Sequence, residues 1–106
     1  MMITEQHRTD ADGNPAGGET VGVGMDIRWQ DGPRRKDGQA EMDAPNGAFV
    51  ESVIEAAIGR IEFFQRSKYA CRENALAITK LQEAQMWLER RRRDRRVRGV
   101  EGMHSV

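Results

Sequence analysis

Seven arginines fall within nine residues near the end of this chain: Arg90, Arg91, Arg92, Arg93, Arg95, Arg96 and Arg98. Guanidinium groups are permanently charged forks of N–H donors, so such a run can hold carboxylate or phosphate. Arg91 and Arg95 stand four apart, a helical spacing that sends both from one face toward the same phosphates. The run equally suits a solvated basic helix end, where cations are favoured by the helix dipole. Asp94 and Glu89 offset only part of its self-repulsion. On these residues alone, both readings stay open.

Other side chains could complete such a site. Phe63, Phe64, Tyr69 and Trp87 can each stack on a nucleobase, although packing is the commoner role for any one of them. Asn74 is an amide in the first turn of a helix, where a local cap or a buried hydrogen bond is its ordinary use. His7, His104 and Cys71 lack metal-ligand spacing, so neither metal nor cofactor is expected. Cys71 has no local histidine partner and reads as a packed thiol. Glu51 and Glu55 read as an exposed helix face. The two glycines of GVGMD (22–26) lead into no helix, which excludes a dinucleotide fingerprint. No set of residues here could break a bond, so the chain is not expected to be an enzyme.

The elements that would position these groups follow from pattern and composition. At 106 residues, 38% hydrophobic and 6% aromatic, the chain is near the lower size limit for a self-sufficient core. A second subunit is expected to complete the interior, because a long amphipathic helix needs a partner surface. Residues 1–66 hold seven Lys/Arg against twelve Asp/Glu, whereas residues 67–106 hold ten against five. This asymmetry suits anion binding by the second half, or attraction between subunits. A single cysteine, no signal-peptide core at the N-terminus and no stretch of membrane-spanning length point to the cytoplasm.

Residues 1–19 are polar and Gly-rich and read as a disordered tail. Residues 20–45 read as a small β element. There VGVGMDIRWQ (21–30) alternates as one strand with a covered face, Asp31-Gly32-Pro33 turns, and a short second strand is expected near 39–42. Residues 46–106 read as a helical hairpin domain. Asn46 is the expected N-cap of a helix over 48–66, with Val50, Ile54, Ala57, Ile58, Ile61 and Phe64 on one stripe. A second helix is expected over 71–97, with Ala77, Leu81, Ala84 and Leu88 as its seam, flanked by Ile78 and Trp87, and Gly99 as its stop. The fold class is thus α+β: a small N-terminal antiparallel β element, then a long antiparallel helical hairpin, oligomeric.

Two segments, NGAFVESVIEAAIGRIEFFQ (46–65) and CRENALAITKLQEAQMWLERRRRDRRVRGVEG (71–102), resemble the phage Thoeris anti-defence sponge family. Its helical hairpin is shared with phage anti-CBASS sponges. The strand VGVGMDIRWQDG is similar to the small sheet of the Thoeris-type members. The resemblance implies a protein of the infected bacterial cytoplasm that binds a cyclic nucleotide immune signal, a glycocyclic ADP-ribose, and holds it uncleaved. It implies homodimers, joined in some members into homohexamers, and a pocket of one aromatic, one asparagine and two arginines. By motif position these fall on Phe64, Asn74, Arg91 and Arg95. Relatives commonly read GVEGT where this chain has Met103, a departure that bears on the separate cyclic-oligonucleotide site of hexameric members.

Seventeen residues separate Asn74 from Arg91 on one helix, or about 26 Å. One chain therefore cannot close both groups on one small ligand, whereas two antiparallel hairpins could, giving a two-fold dimer two equivalent pockets. The alternative is an arginine-rich dimeric nucleic-acid-binding protein, whose affinity for random duplex would fall steeply with salt.

Overall fold

A computed structural model of the protein describes residues 2–103. His104, weighed above as a metal ligand, lies outside them. Five elements occur in the order β1 (Ile3–Thr9), β2 (Pro15–Gly22), β3 (Met25–Arg28), α1 (Val50–Gln65) and α2 (Arg72–Val97). The α+β class is as expected: a small antiparallel sheet, then two helices. The chain forms two compact units, residues 2–49 with 98–103, and residues 50–97. The expected boundary at residue 46 therefore shifts by four residues, and the segment after α2 belongs with the sheet rather than the hairpin.

In the first unit the sheet has strand order β1-β2-β3, each pair antiparallel. The expected tail at 1–19 is instead β1 and most of β2. Every β1 residue is solvent-exposed, so no apolar alternation marks it in the sequence. Backbone pairing and an ion pair hold it: Arg8 forks onto Glu19 at 2.9 and 2.7 Å. The β1–β2 turn is organised by Asp10, whose carboxylate accepts from the backbone N–H of Asp12 and Asn14, each at 2.9 Å.

The single strand expected over 21–30 is two. Val23 and Gly24 form a tight turn between β2 and β3, with Gly24 at φ +73° supplying the left-handed conformation. The covered face is accordingly short. Trp29 donates its indole N–H to Thr20 Oγ1 at 2.9 Å, and Thr20 is buried. Gly18 is the tightest point of the sheet: its φ is +140°, and a Cβ there would lie 2.1 Å from the Gln6 carbonyl oxygen. Only glycine fits.

No strand forms at 39–42. The segment is a hydrogen-bonded loop in which Arg34 Nε donates to the Asp43 carbonyl at 2.8 Å and Gln39 Nε2 to Asp43 Oδ1 at 2.9 Å. Asn46 is not a helix cap either. Its amide exchanges two hydrogen bonds with the Asp31 backbone, both 2.8 Å, four residues before α1 begins. Gly99, at φ +74°, ends α2 as expected. Arg35 fastens the segment beyond it, donating from its backbone N–H to the Gly102 carbonyl at 2.9 Å and from Nη2 to Gly99 O at 2.6 Å.

The second unit is the helical hairpin. On α1, Ile54, Ile58, Ile61 and Phe64 are covered, whereas Val50 and Ala57 are exposed. On α2 the covered positions are Asn74, Ile78, Leu81, Ala84, Gln85, Leu88, Glu89 and Arg95, with Ala77 and Trp87 exposed. Leu81, Ala84 and Leu88 thus lie on the seam as expected, while Ile78 takes the place expected for Ala77, and the seam extends to Asn74 and Gln85 in steps of four and three. Gln65 closes the connector by accepting from the Cys71 N–H at 2.9 Å and donating to its carbonyl at 3.0 Å.

Gly18→Ala should therefore destabilise the sheet by about 1–3 kcal/mol from backbone strain alone, read as a lower urea midpoint, and an unchanged midpoint would contradict the close approach. Glu19 gives a second expectation. Its hydrogen bond from Arg8 holds the carboxyl below its ordinary value in the folded state. The pairing therefore contributes at neutral pH and is lost as pH falls through that lowered range. Amide exchange in β1, corrected for intrinsic rates, should accelerate on acidification; a flat profile would count against the ion pair.

Candidate ligand-binding site

Helix geometry divides the four candidate residues between two ends of the hairpin. Phe64 is the penultimate residue of α1 and Asn74 the third of α2, so both flank the connector. Ser67 anchors the chain beside Phe64, donating from Oγ to the Phe64 carbonyl at 2.6 Å. Asn74 is half-buried on the α2 seam and donates from Nδ2 to the Tyr69 carbonyl at 3.3 Å. Its oxygen lies at the same hinge end as the Phe64 ring.

Arg91 and Arg95 lie at the other end. α2 has 26 residues against 16 in α1, so roughly 15 Å of α2 extends beyond its antiparallel neighbour. That extension carries the arginine run. The run is not uniform: Arg95 is buried, with 9% of its surface exposed, whereas Arg91 is exposed. Arg92 and Arg96 each approach Glu89 to 3.9 Å. The chain thus brings Phe64 and Asn74 to one end and Arg91 and Arg95 to the other, as the spacing requires.

The aromatic residues differ from expectation. Phe63, Tyr69 and Trp87 are 49%, 67% and 61% exposed, so none serves as core within the chain. Each has a cation over its ring: Arg60 over Phe63, Lys68 over Tyr69 and Arg90 over Trp87, at 5.0, 5.4 and 5.5 Å from the centroids. Arg60 also lies 5.0 Å from the Phe64 centroid. Sequence reasoning passed over Arg60, although its spacing of three and four from the two phenylalanines was the available signal. Cys71 is exposed rather than packed. Among the described residues, no group of three or more His, Cys, Asp or Glu is placed to hold a metal ion, and no helix is long and apolar enough to cross a membrane.

The chain is thus a small antiparallel sheet followed by a two-helix hairpin whose cationic extension lies at the end opposite its aromatic and amide residues. The family described as Acb2/Tad1, hairpin domain, matches residues 22–93, and the chain belongs to it. That span includes Phe64, Asn74 and Arg91; Arg95 lies two residues beyond. A protein of Bacillus phage SBSphiJ7 named Thoeris anti-defense 1 is 53% identical over 60 residues, covering 57% of this chain. The match spans 42% of that relative's length.

The contrast between the two arginines can be measured. Arg95→Ala should lower stability by about 1–3 kcal/mol, because it removes a buried charged group from its surroundings. Arg91→Ala, at an exposed position, should fall within about 0.5 kcal/mol of the parent. Equal urea midpoints for the two variants would contradict the difference in burial.

Proposed function

We propose that the protein is a phage anti-defence sponge, which binds a cyclic nucleotide immune signal of the glycocyclic ADP-ribose type and sequesters it without cleavage, so blunting Thoeris or CBASS immunity. Family membership over the hairpin supports this reading, as does the identity shared with a Thoeris anti-defence protein. The observation that carries it is the separation of a cationic helix end from an aromatic and amide hinge. Two such hairpins packed antiparallel as a homodimer would bring Arg91 and Arg95 of one chain to Phe64 and Asn74 of the other.

The chemistry suits capture. Phe64 would stack on the adenine, contributing about 1–3 kcal/mol. The guanidiniums would fork onto the pyrophosphate, and Asn74 would read a base or ribose edge. Arginine stays protonated, and an amide and a phenyl ring do not titrate, so these groups hold a ligand without moving protons. Sequestration is stoichiometric and demands tight binding; nanomolar affinity corresponds to about 12 kcal/mol. Dimers would assemble further into homohexamers in the manner the resemblance implies, but a separate cyclic-oligonucleotide site that needs the threonine hydroxyl of relatives would be lost here, where Met103 stands in its place. The site of action is the cytoplasm of the infected cell.

Incubation with glycocyclic ADP-ribose, followed by denaturation, should return the messenger intact in stoichiometric amount. Recovery of linear product alone would make the protein an enzyme. Arg91→Ala combined with Arg95→Ala should abolish capture, and undiminished binding by the double variant would remove those residues from the pocket. The second reading, duplex nucleic-acid binding through the arginine run, requires retention of random DNA at low salt and its loss at high salt.

A further inference from the structure

Among the described residues, Arg60 and Arg90 are the arginines whose described contacts are with aromatic rings, and of these Arg60 alone lies near two, Arg90 lying over Trp87 only. Arg8 is committed to Glu19, Arg34 to Asp43, Arg35 to Gly99, and Arg92 and Arg96 approach Glu89. Arg60 makes no side-chain hydrogen bond or ion pair among the described residues. Its guanidinium carbon instead lies 5.0 Å from the centroids of both Phe63 and Phe64. Those rings are 6.1 Å apart and tilted by 57°. The spacing of three and four along α1 places all three side chains on one helix face.

A guanidinium is planar and weakly hydrated on its faces, so it rests on an aromatic ring while its N–H edges remain available. Two rings at this separation offer it two seats. A base that stacks on Phe64 takes one of them, and Arg60 keeps the other on Phe63. The cation then lies beside the stacked base with its donors uncommitted, where the phosphates attached to that base would be. Phe63, half exposed in the chain, thereby acquires a role: it retains the arginine when the ligand arrives.

We propose that Arg60 is a further ligand-binding residue, a phosphate-binding cation seated on Phe63 beside the base-stacking ring of Phe64. This rests on the sponge reading above and extends its pocket to a nucleotide diphosphate gripped from both ends. The test is calorimetric titration of glycocyclic ADP-ribose into the full chain and into Arg60→Ala, Arg60→Lys and Phe63→Ala, each at several salt concentrations. Arg60→Ala should weaken binding about tenfold and lower the slope of log K against log salt by about one, as loss of one phosphate contact requires. Arg60→Lys should keep the salt slope but lose part of the affinity, because an ammonium cannot make the planar stack. Phe63→Ala should weaken binding with the slope unchanged. Equal or tighter binding by Arg60→Ala, with the parent chain binding normally, overturns the assignment of Arg60 alone. Absence of binding by the parent chain overturns both it and the sponge reading.

Discussion

The rise of an α-helix sets the terms for this protein. α2 runs unbroken through 26 residues, about 39 Å at 1.5 Å per residue. Whatever sits in its first turn is therefore held far from whatever sits in its last, with no hinge between them. Asn74 on the seam and the arginines of the extension are fixed ends of one rod. A ligand the size of a dinucleotide can meet one end of a given chain, not both. The sponge reading follows from taking this rigidity seriously and asking what a second rod, laid the other way, would bring.

Burial within the single chain agrees with that need. Among the described residues Ile58 is the only buried hydrophobic one, while Val50, Phe63, Leu76, Met86 and Trp87 are each about half exposed or more. A two-helix hairpin covers one stripe of each helix and leaves the rest to solvent. Homodimerisation would cover more of it, and the same packing would close the proposed pocket. Stability and ligand capture would then depend on one interface.

The hairpin was largely legible in the sequence, because its signals are strong and local. Ile54, Ile58 and Ile61 recur at helical spacing, and Gly99 has the left-handed backbone of a helix stop. On the α2 seam Leu81, Ala84 and Leu88 were legible, but Ile78 rather than Ala77 is covered, because both are apolar and only packing distinguishes them. The sheet was poorly legible. β1 carries no apolar alternation, β2 contains two glycines of positive φ, and the fork between Arg8 and Glu19 joins residues eleven apart. The DADGN turn at 10–14 was the one overlooked signal, since Asp and Asn hydrogen-bonding to nearby backbone mark a hairpin connection. Of the candidate site, spacing alone assigned residues to opposite ends of the rod. It did not foresee that Arg95 is buried and Arg91 exposed, nor that Arg60 lies across both phenylalanines.

A pocket built from two chains can be tested by mixing two inactive ones. One variant carries Phe64→Ala with Asn74→Ala, the other Arg91→Ala with Arg95→Ala, and neither should retain glycocyclic ADP-ribose alone. Unfolded and refolded together, they should regain binding, because each mixed dimer has one intact pocket and one doubly damaged. If the mixture stays as inert as its components while native mass spectrometry records mixed dimers, the shared pocket does not exist.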